Sequence, residues 1–474
     1  MHLIFNFEQR MKRIFLPFAI LVSTIIVCTS CLGSDDDDYT YYDDTAITSF
    51  SLGTLNRYVH TTSSTGNDSI YKTTVKGSNY KFMIDHEKRE IYNPDSLPLG
   101  TDAQHVICAV TAKNSGVVTI KSMTSDSLRY YSESDSVDFS KPREFVVYSN
   151  SGNARRSYTI HVNVHQEDGD AFNWTKTGDN APFADLTVMK GFALEDGIYL
   201  FGLNGEETVM YKNNGSGWTA ANETWEAAAC QNVVKGNGNI YLLNKGAIVK
   251  IDGGVHTPET QLQRLIGAGM GSLYGLDAEN RLVVSYDEGA TWTAESMDAA
   301  SELLPAENIS CAVINSRTNN DVYRVVICGT RSLDAFPEDA YGMVWGRLEE
   351  TGAHAMSHDW TYYKISGDNL YGLPRLRNLA MAAYGDGLIA LGNEGLGKCT
   401  KESMDYIYES LDGGITWKKS ANCPLPEQLK GSTLPFTAFT DSSNYLWIVS
   451  ANGQTWRGRL NKLGWAAEQR SFME

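Results

Sequence analysis

The sequence predicts an all-β chain: a small β-sandwich over residues 45–165, then a six-bladed β-propeller over residues 171–474. Three observations predict it. The 474 residues hold 25 Tyr, 10 Trp and 42 Gly against 12 Pro, a composition of many short strands joined by tight turns. Strongly apolar runs return about every 40–60 residues in the C-terminal part, the period of propeller blades. Tryptophans recur shortly after those runs. A chain of this length holds two or three domains of about 100–200 residues each. Its formal net charge of −17 argues against nucleic acid as a partner, because phosphate binding relies on Lys and Arg. The same charge disfavours docking on anionic lipid.

Residues 1–31 read as a targeting segment. Lys12 and Arg13 form a basic start, and the apolar run Ile14 to Val27 falls short of the about 20 residues a spanning helix needs. It ends at Cys28-Thr29-Ser30-Cys31. Small residues before a cysteine resemble the lipobox of bacterial lipoproteins, which implies cleavage before Cys31 and acylation of Cys31. An uncleaved N-terminal anchor is the alternative. Residues 32–44 form an acidic tether in which Ser34 precedes Asp35, Asp36, Asp37 and Asp38. An acidic run at that place resembles the export signal of Bacteroides-type lipoproteins, implying display on the outer face of the outer membrane with the lipid as the only membrane contact. By itself such a run is a solvated spacer.

Within 45–165 the clearest strands are Val106 to Val110, Phe145 to Tyr148 and Tyr158 to Val164. In the last, Tyr158, Ile160, Val162 and Val164 share one face, and His161, Asn163 and His165 share the other. The pattern looks like an immunoglobulin-like β-sandwich. His161 and His165 read as a solvent-facing strand surface, since no third metal ligand is placed. Residues 166–170 are the linker.

Each unit of the C-terminal domain opens with a small, apolar strand, followed by a Gly/Asp/Asn turn and a strongly apolar second strand. Six second strands are predicted: Ile198 to Phe201, Ile240 to Leu243, Leu273 to Leu276, Tyr323 to Ile327, Leu388 to Leu391 and Leu446 to Val449. Trp345 to Leu348 and Trp456 to Leu460 read as equivalent third strands. Either Phe172 to Lys176 or Gly464 to Ala467 would complete the last blade. Of six further cysteines, Cys311 with Cys328 and Cys399 with Cys423 flank predicted hairpins and are candidate disulfides, although sequence leaves connectivity open.

Two turns share one pattern. Ser285, Asp287, Gly289, Thr291 and Trp292 match Ser410, Asp412, Gly414, Thr416 and Trp417 at the same spacing, S-x-D-x-G-x-T-W. Tyr211 to Trp218 reads as a decayed copy, and Ser450 to Trp456 as a copy one residue short. The Asp carboxylate can accept backbone N–H bonds within the turn. Gly supplies an unusual backbone angle, and Trp covers the gap between blades. A structural role is therefore expected. These turns resemble the Asp-box, or BNR, repeat of sialidases and related propellers. A sialidase resemblance would imply three arginines, a tyrosine nucleophile with a glutamate partner, an acidic proton donor and an F/Y-R-I-P sequence. That sequence does not occur; Leu373-Pro-Arg375-Leu-Arg377 has a different order, so no catalytic residue carries over. The order of domains resembles a family of Bacteroides surface lipoproteins with an immunoglobulin-like N-terminal module and a C-terminal propeller, which implies no particular activity.

Propeller strands alternate in direction, which puts the second-to-third and blade-to-blade loops on one face. Those are the long ones: Thr293 to Ser310, Gly329 to Gly342, Ser366 to Asn378, Asn393 to Asp405 and Lys418 to Pro435. Long loops on a rigid scaffold are where binding residues usually sit. The ligand candidates there are Arg331, Asp334, Glu338, Tyr371, Arg375 and Arg377, with Asp339 and Tyr341 beside them. Arginine forks suit planar carboxylates, and paired carboxylates suit glycoside hydrolysis. The plain reading of each is a solvated loop charge. His354 and His358 read as a loop or hairpin end rather than a metal pair. The sequence holds no phosphate loop, HExxH, GxSxG or EF-hand spacing. The expectation is a non-catalytic outer-membrane surface lipoprotein that binds a glycan or protein partner through the long-loop face, without cofactor or metal. A glycoside hydrolase or lyase using the acidic loop residues, and a structural subunit of an outer-membrane complex, are the alternatives.

Overall fold

Period-two alternation of apolar residues builds strands with one buried face, and the regular elements among the described residues are strands and short 3-10 segments. The computed structural model describes residues 40–466 apart from 63–65, 252, 256, 258, 353–354 and 368. The lipobox, Cys31, the acidic run and His354 lie outside the described residues. The chain divides between Val164 and His165 into two units.

The first unit has one core. Arg155–His161 runs antiparallel to Arg143–Tyr148 and parallel to Glu90–Tyr92, in a six-stranded sheet that also holds Met83–Asp85, Val117–Lys121 and Leu128–Tyr130. Two-stranded pairs form between Ile47–Leu52 and Cys108–Ala112, and between Thr54–Thr62 and Asp68–Lys76. Tyr158 and Ile160 are fully buried with Phe145, Val147, Ile91 and Ile120, and Val162 and Val164 pack against them. On the opposite side Asn163 donates its side-chain amide to the Asn93 carbonyl (2.8 Å) and its backbone N–H to Asn93 Oδ1 (2.7 Å). The expectation for His165 is corrected. It belongs to the second unit, where its ring is buried and stacks on Trp465 at 3.8 Å between centroids.

Six four-stranded sheets make up the described part of the second unit. The apolar runs read from the sequence are the second strands of these sheets: Gly197–Asn204, Asn239–Asn244, Leu273–Asp277, Val322–Thr330, Gly387–Leu391 and Leu446–Ser450. They are apolar on both sides because each sheet is covered on both faces by its neighbours. Six hydrophobic clusters fill the gaps in order. Ile266, Tyr274 and Val284 meet Val325, Ile327 and Trp345 between the third and fourth sheets. Phe439, Trp447 and Val449 of the sixth meet Met189, Ala193 and Leu200 of the first. The last contact returns the series to its start, and the domain is a β-propeller.

Closure is carried by Phe172–Asp179, which pairs antiparallel with Gln454–Leu460 and supplies the outer strand of the last sheet, Phe172 opposite Leu460 and Asp179 opposite Gln454. Gly464 and Trp465 do not take that slot; Trp465 donates its indole N–H to the Glu167 carboxylate (2.9 Å). At the inner edge, Thr437 Oγ1 accepts from the Gly191 N–H at 2.8 Å. A Cβ at Gly191 would lie 2.4 Å from the Phe439 ring, so only glycine lets these strands approach.

Two further expectations change. The cysteines of the described residues are free thiols. Cys311 stands opposite Ile327, and Ser310 opposite Cys328, so alternation sends the two thiols to opposite faces of the sheet. Cys423 sits in the core between the fifth and sixth sheets, while Cys399 hydrogen-bonds the Ala340 carbonyl. Ser450 to Trp456 is not a short copy of the S-x-D-x-G-x-T-W turn. It joins a second strand to a third, whereas the two full copies join third strands to fourth.

Candidate functional site

In the two full copies the chemistry of the turn is self-contained. Asp287 Oδ1 accepts the Thr291 N–H (2.8 Å) and the Ser285 hydroxyl (2.7 Å), and Oδ2 accepts the Thr291 hydroxyl (2.7 Å). Ser285 Oγ accepts the Gly289 N–H, and Trp292 donates its indole N–H to the Gly289 carbonyl at 3.0 Å. Asp412 repeats the set with Ser410, Gly414, Thr416 and Trp417. Gly289 has φ +94°, and a Cβ there would lie 2.6 Å from Ile248 of the preceding sheet. Donors from Thr291, then Ser285, hold the Asp287 carboxyl down at about 2. Burial pushes Asp412 up, but the Thr416 and Ser410 bonds outweigh it and leave the carboxyl below its ordinary value. Every polar atom of these side chains named here serves the hairpin and its packing on the neighbouring sheet.

The six loop candidates do not converge. Arg375 is fully buried, 0% exposed, and its guanidinium donates to the carbonyls of Phe336 (2.6 Å) and Arg331 (2.7 Å). It knits the 331–342 loop to the 372–378 segment and has no face turned to a ligand. Arg331 lies across the Phe336 ring and grips Asp339 with two nitrogens, at 2.9 and 2.6 Å. Glu338 pairs with Lys398 at 2.5 Å, and Asp334 is exposed. Tyr371 is 55% exposed but leans on the outer strand of the fifth sheet, where its carbonyl accepts the Trp417 N–H. Lys418 sits over its ring. Arg377 alone reaches the propeller axis, paired with Glu394 at 2.5 Å. His358 pairs with Glu350 (2.7 Å).

At the axis the six first strands enclose a cavity of about 580 Å³. These strands are Leu186–Leu194, Val233–Gly236, Leu262–Ala268, Glu307–Asn315, Ala380–Tyr384 and Phe436–Thr440. The lining runs from Asn308, Arg377 and Asn378, where the long loops deliver the chain, to Asn237 and Asn315 at the far ends of the strands. Asparagines brace the loop end. Asn308 Oδ1 accepts the Asn378 N–H (2.9 Å), and Asn378 donates to Asn393 Oδ1 (2.7 Å). Both Asn308 and Asn378 hold positive φ, a conformation asparagine tolerates better than most residues.

The cavity wall is basic in an acidic chain. Lys190, Lys235, Arg264 and Arg377 line it, against Glu307 as the one carboxylate among the described lining residues. Lys190 Nζ donates to the Ile309 carbonyl (2.5 Å) and Lys235 Nζ to the Ala193 carbonyl (2.7 Å). Arg264 donates to the Ala306 carbonyl. Desolvation lowers the pKa of Lys190, Lys235 and Arg264 alike; Glu307 partly offsets this at Arg264. Sequence reasoning passed over these cations because they sit inside first strands that read as apolar. The available signal was a Lys-Gly pair inside the first strand of two successive sheets, Lys190-Gly191 and Lys235-Gly236, at different registers: Gly191 stands opposite Leu200, and Gly236 opposite Asn239 at the hairpin end.

A family model described as the DUF6242 beta propeller domain matches residues 168–468, and one described as the domain of unknown function (DUF6242) N-terminal domain matches 50–162. No curated protein matches the chain. Among solved structures, YCF48 from Cyanidioschyzon merolae is similar at 12% identity and TM-score 0.32, covering 60% of this chain and 98% of its own. Selenomethionine-substituted virginiamycin B lyase from Staphylococcus aureus is similar at 12% identity and TM-score 0.32, covering 61% and 99%. SapL1 lectin in complex with alpha methyl fucoside is similar at 12% identity and TM-score 0.33, covering 66% and 97%.

Proposed function

Because the chain belongs to the DUF6242 family, joining its N-terminal domain to its beta propeller domain, we propose that it is a non-catalytic binding protein of the bacterial surface. In this reading acylated Cys31 anchors it in the outer membrane, the acidic tether and an immunoglobulin-like module carry the propeller outward, and the six sheets are the blades of a closed ring with Asp-box turns at their rim. The partner is a glycan or a surface protein, engaged at the long-loop face and the axial opening.

The axial cavity carries this reading. Its volume lies within the range of ligand pockets, about 300–1,000 Å³, and the ring around it is stiffened by cores on every side. The carboxylates offered for catalysis, Asp334 and Glu338, do not line it. The test is a glycan array together with a pull-down from intact cells, using the purified full chain in a neutral detergent. A saturable glycan or protein ligand supports the reading, and turnover of a fluorogenic glycoside in the same preparation would overturn it in favour of a hydrolase. Surface exposure is checked by protease shaving of intact cells: the parent should be cleaved and its peptides released, and the Cys31→Ala variant, lacking the anchor, should contribute no shaved peptides.

A further inference from the structure

Charge bookkeeping at the axis runs opposite to that of the whole chain. The protein has 57 acidic and 40 Lys or Arg residues, yet the described cavity wall holds four basic side chains and one acidic. Arg377 is neutralised by Glu394, and Arg264 feels Glu307. Lys190 and Lys235 have no carboxylate within ion-pair distance among the described residues; their hydrogen-bond partners are backbone carbonyls. An ammonium carries three donors, so each lysine has one committed here and two left for the cavity. Holding cations in a desolvated wall is costly unless a counter-charge is supplied.

We infer that the axial cavity takes a small molecule bearing an oxyanion, a carboxylate or a phosphate, with Lys190 and Lys235 as its counter-charges and Arg264 at the same wall. This rests on the binding-protein reading and names the ligand class for it: within a glycan reading, an acidic sugar. Ser310 and Thr437 also line the cavity, their hydroxyls accepting the Met381 and Gly191 N–H groups of neighbouring sheets, which fixes the wall on which the basic side chains stand.

The experiment is calorimetric titration and thermal unfolding of the full chain, at low ionic strength, with D-glucuronate, glucose 6-phosphate, inorganic phosphate and glucose. At least one of the anions should bind and raise the unfolding temperature, with glucose binding at least tenfold more weakly. Glucuronate alone identifies the carboxylate source; glucose 6-phosphate with inorganic phosphate identifies the phosphate source. Lys190→Met and Lys235→Met should each weaken the bound anion about tenfold, the loss of one charge-assisted hydrogen bond. Lys235→Arg keeps the charge and should retain most of the affinity, which separates recognition from misfolding. If no anion binds, or if the two Met variants bind as the parent does, the inference fails. Neutral glycans binding on the array without any anion binding would sink this inference alone. Anion binding with an empty array and pull-down would sink the glycan or protein partner and leave the cavity assignment standing.

Discussion

Trp417→Ala tests whether the recurrent hairpin tryptophans are structural wedges between sheets. Trp417 is 3% exposed and packs with Val326 and Val344 of the fourth sheet and Leu388, Ala390 and Tyr408 of the fifth. A buried aromatic removes about 150–250 Å² from water, which at about 25 cal/mol/Å² is about 4–6 kcal/mol. Ala recovers a little of that, and the lost indole bond to Gly414 O (2.9 Å) adds about 1 kcal/mol. The sum stays at about 4–6 kcal/mol, an upper bound because the unfolded chain already buries part of the ring, and the expected cost is about 3–5 kcal/mol, the usual range for Trp→Ala in a core. Across the propeller domain, 168–468, an unfolding entropy of about 2.1 cal/mol/K per residue turns that into a fall of about 5–8 °C. Trp292 makes the same bond but is only partly buried, so Trp292→Ala should cost less, about 1–3 kcal/mol. The assay is guanidinium unfolding of both variants, read as a midpoint shift at constant slope. Equal losses in the two variants, or none at Trp417, would falsify the wedge argument.

Arg375 and Arg377 should separate. Arg375→Ala removes a fully buried side chain, leaves a cavity and strands two carbonyls, costing about 2–5 kcal/mol, whereas Arg377→Ala breaks an exposed pair worth about 0–1 kcal/mol; a denaturation midpoint for each variant decides. Asp287→Asn should destabilise the protein at neutral pH and converge with the parent in acid. The carboxyl is held at about 2 in the folded state against an ordinary 3.8, so its contribution is complete above 3.8 and fades as pH falls through about 2. Parallel stability curves from pH 7 to pH 2 for parent and variant would refute that role.

The chain's own residues announced much of the propeller. A strand covered on both faces must be apolar at consecutive positions, so Ile198 to Phe201 and its five counterparts stood out from the polar turns between them. The Asp-Gly-Thr-Trp hairpins were equally legible, because each satisfies its own donors and acceptors within eight residues, and local chemistry needs no distant partner. What lay between distant segments was not legible. The choice of Phe172–Asp179 over Gly464 and Trp465 as the closing strand depends on which one meets Gln454–Leu460, nearly three hundred residues away in the chain for the strand that wins. Arg375 reads like any loop arginine until the 331–342 loop folds over it. Lys190, Lys235 and Arg264 are single charges in three separate strands. Only the closing of the sheets around one axis places them on a common wall, because proximity across a ring is a property of its closure and not of any local run of residues.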